Sequence, residues 1–275
     1  MSSLSAHSDL PAIKISSTET REFWELPVVY EDDQLLALDK PAGLSVSGEP
    51  EQTGRPDLLD LLHQGIAAGK SWAVARNISF LMNAHRLEAE ASGVLLLARN
   101  KPVLSTLLDW FGSDRVILSY VTLVSGTPAE DQFAVEAKLA PDSLRPGLMR
   151  VDPKFGKRAR TSFTVLERFR DWTLVRCVPS PNRPHQVRVH LKRLGLRVAG
   201  DQAYGGKPLW LSRLKPGFHL KPNHTERPLL GQTCLHAETL RLDHPVTGQP
   251  LTLEAAPPKD LRVALKYLRR YRPTT

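Results

Sequence analysis

The chain of 275 residues reads as an α+β protein built on a large, mainly antiparallel (mixed) sheet with flanking helices. Three observations predict that class. Short runs rich in β-branched and apolar residues, such as VILSYVTLV at 116–124, recur along the chain with turn residues between them. Only a few segments show helical spacing. No period of about 20–50 residues recurs, which excludes a solenoid or propeller. Hydrophobic residues make up 41% and charged residues 24%, an ordinary globular balance, so a chain of this length can bury a substantial core.

Taken in order, residues 1–24 are Ser/Thr-rich and weakly periodic, and they read as a flexible leader ahead of one continuous domain over 25–275. LPVVYEDDQLLALDKPAG predicts strands at 28–30 and 35–38, hinged on the acidic turn Glu31-Asp32-Asp33. In PDLLDLLHQGI, Leu58, Leu59, Leu62 and Ile66 fall on one helical side, with Pro56 at a first position. The stretch AHRLEAEASGVLLLARN follows a strand-like lead at 78–82 and ends in a continuous apolar run at 94–98, which reads as a buried strand. A helix is expected over 102–111, and strands at 116–124, 133–139, 159–168 and 172–178. HQVRVHLKRL at 185–194 is placed on a helix because Val187, Leu191 and Leu194 follow the i, i+4, i+7 pattern, with Arg188 and Lys192 on another face. LHAETLRLDHPVTGQPLTLEA reads as a hairpin closed by HPVTGQ, and 260–269 as a terminal helix.

Thirty-seven Lys and Arg against 29 Asp and Glu give a formal charge of +8, which suits a polyanionic partner and equally suits a cationic surface used for solubility. Cys177 and Cys234 show neither CxxC nor Cys/His spacing, so neither a disulfide framework nor a structural metal is expected. There is no secretory signal pattern and no apolar run near about 20 residues, and a soluble cytoplasmic protein is expected.

Three segments carry candidate chemistry. In the loop 84–92, His85 and Arg86 precede Glu88 and Glu90, so cations for phosphate or base contact stand beside acids that are either catalytic or solvated. Ser92 lies outside any GxSxG context and reads as a turn residue, and Gly93 as a position of unusual backbone geometry. SPNRPHQVRVHLKRLGLRVAGDQAYGG interleaves Arg183, Arg188, Lys192, Arg193 and Arg197 with the rings of His185, His190 and Tyr204, a mixture suited to phosphate and base contacts, with a solvated basic helix face as the alternative. Lys154 to Arg160, KFGKRAR, is either a grip on a phosphate backbone or an exposed hairpin tip.

Five ordered pieces, VVYEDDQLLALDKPAGL, AHRLEAEASGVLLLAR, SYVTLVSG, NRPHQVRVHLKRLGLRVAGDQAYGG and LHAETLRLDHPVTGQPLTLEA, together resemble the RluA-type family of RNA pseudouridine synthases over residues 27–258. The resemblance implies a pseudouridine synthase-like catalytic domain that isomerises uridine to pseudouridine in structured RNA, ribosomal or transfer, as a monomer with no cofactor, metal or membrane. The residues before Pro27 are too few for the S4-type domain that some relatives carry. Where the family has a catalytic aspartate in His-Arg-Leu-Asp, this chain has Glu88, and Ala91 stands at the family's threonine. By the same resemblance Tyr120 packs on the target base, Arg188 pairs with the carboxylate, Arg86 fills the space of the flipped nucleotide, and Lys40, His85, Arg183 and His185 contact RNA. Glutamate in the aspartate position leaves two readings: a synthase adapted to the longer side chain, or an RNA-binding member with impaired catalysis. A glycosidase acting on a small substrate would use the acids but not the basic segments.

Overall fold

Residues 11–48 and 56–274 are described by the computed structural model. Met1–Leu118 with Ala237–Ala256 form one compact unit and Ser119–His236 with Pro257–Thr275 another. No Pro/Gly-rich linker marks this division, because each unit draws on two separate stretches of chain.

The first unit opens where a leader was expected. Instead β1 (Ile13–Ser16) pairs antiparallel with β2 (Phe23–Leu26). Alternation explains it: Ile13 and Ile15 are buried and Lys14 and Ser16 exposed, a two-residue period confined to four residues. Then β3 (Val28–Glu31) and β4 (Leu35–Lys40) form the expected hairpin. Helix α1 (Leu58–Ala67) is capped by Asp57, whose carboxylate accepts from the Asp60 N–H, and it buries Leu58, Leu59, Leu61 and Leu62. Pro56 thus lies ahead of the cap rather than in the first turn. Short α2 (Ser71–Val74) leads to β5 (Met82–Asn83), the remnant of the longer lead expected at 78–82.

Strand β6 (Ser92–Ala98) is buried at all seven positions, as its unbroken apolar run predicts. It pairs antiparallel with β4 and β5. It leads into α3 (Lys101–Gly112), whose cap Asn100 accepts from the Val103 N–H.

The second unit carries β7 (Ile117–Ser125), β8 (Gln132–Pro141), β9 (Met149–Val151), β10 (Lys157–Phe169) and β11 (Trp172–Ser180). They lie in the order β7-β11-β10-β8-β9, and the β7·β11, β11·β10, β10·β8 and β8·β9 pairings are antiparallel. Helix α4 (Gln186–Arg193) matches the helical reading of that segment but not its basic solvated face, since Gln186 through Leu191 are all buried. It packs with Leu139, Ala159 and Tyr204 in one apolar cluster through Val189. The stretch continues through β12 (Arg197–Val198), paired with β7, and the short α5 (Leu211–Leu214).

Returning to the first unit, β13 (Leu235–Asp243) lies beside β6 and forms the expected hairpin with β14 (Pro250–Glu254). Gly93 has φ +112°, and a Cβ there would collide with the backbone of Ala237, so β6 and β13 approach at a point only glycine permits. In the second unit α6 (Lys259–Tyr271) buries Leu261, Ala264, Leu265 and Leu268. Among the described residues no helix is long and apolar enough to cross a membrane.

Candidate active site

The loop 84–92 is a turn with two sides. Glu88 accepts from the Ala91 N–H at 3.0 Å through its backbone carbonyl, closing a β-turn over residues 88–91. Leu87, Ala89 and Ala91 are buried, while Arg86 is exposed and Glu88 and Glu90 are partly exposed. Alternation therefore puts the arginine and both acids on the accessible side.

Two side chains expected to touch RNA instead anchor this turn. Lys40, at the end of β4, is 0% exposed, and its ammonium donates to the carbonyls of Pro41 at 2.8 Å, Leu44 at 2.7 Å and Ala89 at 3.2 Å. Ala89 lies between the two acids, so a buried positive charge sits beneath the segment that carries them. The Gly43 N–H also donates to the Ala89 carbonyl, at 2.7 Å, which fixes the turn to residues 40–44 from two directions.

His85 is likewise buried. Its Nε2 accepts from the Leu96 N–H at 3.0 Å, so its ring hydrogen is on Nδ1, and its ring stacks on Phe111 of α3 at 4.8 Å. Burial pushes the imidazole down to about 4, against a smaller opposing effect of the Arg86 backbone. A neutral, enclosed ring positions the loop; it does not offer a cation to phosphate. Asn83 adds a third anchor by donating from Nδ2 to the His85 carbonyl at 2.9 Å.

The second unit holds the other expected residues. Tyr120 on β7 is buried, and its Oη accepts from Asn182 Nδ2 at 3.1 Å. Arg188 is 1% exposed and makes a bidentate pair with Asp201, Nε at 2.9 Å and Nη2 at 2.7 Å. Its guanidinium also lies over the Tyr204 ring, 4.9 Å from the centroid, and Lys192 Nζ is 5.7 Å from the same ring. His185 enters α4 with φ 53°, and its Nδ1 is 2.8 Å from Tyr204 Oη, the two rings meeting edge to face at 5.6 Å. Tyr204 thus brings Arg188 and His185 to one ring. Arg183 is half-buried and spends its Nε on the Arg158 carbonyl at 2.8 Å.

Beneath these, Gln186 Nε2 donates to the Arg160 carbonyl at 2.8 Å and Thr161 Oγ1 at 3.1 Å, and Thr161 Oγ1 meets His190 Nδ1 at 2.9 Å. Burial, aided by the nearby Arg193 charge, pushes His190 down to about 4, so it too is a neutral structural ring. Three positioning residues escaped the sequence reading. Asn182 and Phe111 carry no distinguishing pattern, but Asp201 does: it is the single acid within the five-cation segment from Ser180 to Gly206. Among the described residues no group of three or more His, Cys, Asp or Glu could hold a metal ion.

A family model described as RNA pseudouridylate synthase matches residues 34–193. Ribosomal large subunit pseudouridine synthase C of Salmonella typhi is 33% identical over 244 residues, spanning 88% of this chain and 70% of the relative. The protein named uncharacterized RNA pseudouridine synthase YlyB, from Bacillus subtilis, is 32% identical over 247 residues, spanning 90% of this chain and 74% of the relative. Among solved structures, Human RNA Pseudouridylate Synthase Domain Containing 4 shares the fold with a TM-score of 0.67 at 21% identity, over 88% of this chain and 92% of that one.

Proposed function

The chain belongs to the RNA pseudouridylate synthase family, and from that premise we propose that it isomerises selected uridines to pseudouridine in structured RNA, ribosomal or transfer, as a cytoplasmic monomer. The observation that carries the reading is the turn over residues 88–91, which presents Glu88 on its accessible side while Lys40 and His85 hold it from beneath. A catalytic carboxylate needs that combination of reach and rigidity, since misplacement by about 1 Å costs on the order of a hundredfold in rate.

In this reading Glu88 either attacks C1′ of the target ribose or removes the C2′ proton. If Glu88 attacks C1′, the C1′–N1 bond breaks as the ester bond forms, uracil turns, and the ester bond to C1′ breaks as C5 attacks, freeing the carboxylate; if it removes the C2′ proton, uracil leaves with the C1′–N1 electron pair and Glu88 returns that proton to C2′ as the C1′–C5 bond forms. In either route the C5 proton leaves and N1 regains one, so that no atom is gained or lost overall. Tyr120 packs on the base and serves the proton removal. Arg188 supplies the buried cation of the catalytic set, held in orientation by Asp201. Arg86, exposed beside Glu88, enters the space that the target nucleotide vacates. His185 and Arg183 flank the strand. The carboxylate of glutamate extends one methylene beyond that of aspartate, and either the backbone of the turn or the placement of Tyr120 and Arg188 takes up the difference.

The test is direct: unmodified bulk RNA is incubated with the protein and pseudouridine is mapped. Wild type should form product, and Glu88→Ala should lose at least about a thousandfold in turnover. RNA binding without product, with turnover appearing only in Glu88→Asp, would overturn the reading in favour of an RNA-binding member that has lost catalysis.

A further inference from the structure

The basic run KFGKRAR can now be located. Asp152 organises the tip ahead of β10, accepting from the N–H groups of Lys154 at 3.0 Å and Phe155 at 2.9 Å, and Phe155 stands 75% exposed there. Within β10, Ala159 and Thr161 face inward while Arg158 and Arg160 are exposed on the opposite side. Register sets Arg158 across from Lys138 and Arg160 across from both Glu136 and Ser180. These residues, with Pro181, line a groove of about 590 Å³.

Three cations and one acid make the groove net positive. Its Arg160–Glu136 ion pair, at 2.8 Å, is more than half exposed on both sides. Such a pair contributes little to stability, so the arginine can exchange to another anion at small cost. The register sets Tyr120, across from Cys177 and Phe163, on the Ala159 side of the sheet, and the turn at 181–183 joins that side to the groove. Pro181 is followed by Asn182, which donates to Tyr120 Oη, and the carbonyl of Arg158 accepts from Arg183.

We infer that this groove takes the ribose-phosphate backbone of the RNA strand flanking the target nucleotide, with Lys138, Arg158 and Arg160 contacting successive phosphates. The inference rests on the function proposed above, in which Tyr120 packs on the target base and so fixes where the flanking strand begins. Phosphate contacts orient a strand without reading its sequence, so the groove contributes register rather than base choice.

The experiment follows binding of a fluorescein-labelled, mixed-sequence single-stranded RNA of about 20 nucleotides by anisotropy across a salt series. Three forms are compared with wild type: the double variant Lys138→Gln/Arg158→Gln, the single variant Glu136→Gln, and Glu136→Gln in the double background. Two lost phosphate contacts should lower the slope of log K against log salt by about 1.4 and weaken binding roughly tenfold near 0.1 M salt. Glu136→Gln should do the reverse, tightening binding and steepening the slope by up to about 0.7, because it frees Arg160. A merely structural role for these exposed residues predicts no gain from Glu136→Gln. Slopes equal to wild type in every variant, with circular dichroism unchanged, overturn the groove. Pseudouridine formation is scored on the same preparations: groove-dependent slopes without product overturn the synthase reading alone, and product with unaltered slopes overturns the groove alone.

Discussion

Arg188 and Asp201 are thirteen residues apart, and no local spacing rule joins them; both are enclosed, and their bidentate pair is a fixed partnership rather than a surface contact. Removing one member of such a pair leaves a charge in a low-dielectric site, so Asp201→Ala should cost about 3–5 kcal/mol, while Asp201→Asn, which keeps an acceptor, should cost less. Urea unfolding measures both, and equal small losses would show that Asp201 is dispensable. At this scale the types of the candidate residues were legible, but not which of them face solvent. Lys40 and His85 stand in the motif as plainly as Arg86 does. Only the three carbonyls around Lys40 and the Leu96 N–H and Phe111 ring against His85 show that these two are buried and anchor the loop.

Hairpin ends supply the clearest case at the scale of elements. Asp32, in the turn between β3 and β4, accepts from Tyr30 Oη at 2.6 Å and from the N–H groups of Gln34 and Leu35, both at 2.8 Å. His244, in the turn between β13 and β14, accepts from the N–H groups of Val246 and Thr247 at Nδ1, so its Nε2–H is the donor to Asp32 at 2.8 Å. Burial raises the Asp32 carboxyl, but the hydrogen bonds from Tyr30, the Gln34 and Leu35 N–H groups and His244 together outweigh it and hold it below the usual carboxylate range. The stabilisation is therefore complete above the ordinary Asp value of about 3.9 and is lost as pH falls through the lowered folded value. Wild type should exceed Asp32→Asn in stability by a constant margin from about pH 7 to 5, and the margin should shrink below about pH 4. A margin that stays flat to about pH 2 would show that the ionised Asp32 carboxylate and its hydrogen bonds add nothing to stability. Both hairpins were legible from alternation and turn residues; their joining across 212 residues was not, because it depends on tertiary placement. Strand β1 escaped for the opposite reason, its alternation being too short to stand out among serines and threonines.

For the molecule as a whole, the fold class and the family were readable from ordered motifs and strand periodicity, whereas the division into two units was not. Composition marks no boundary at 118, 236 or 256, where the chain passes between units. This interleaving bears on how the chain is made. When residue 118 leaves the ribosome the first unit still lacks β13 and β14, which follow roughly 120 residues later. At about 5–20 residues per second that is a wait of roughly 6–24 s. Throughout it β6, buried at every position in the finished protein, has no strand on the side that β13 will occupy. An apolar strand with an open edge is a template for aggregation. A chain ending at residue 236 should accordingly partition to the insoluble fraction on expression, and a chain ending at 256 should recover solubility for the first unit. The glycine that lets β13 approach β6 thus sets a late, close-fitting step in biosynthesis, one at which a nascent-chain chaperone would have its longest opportunity to bind.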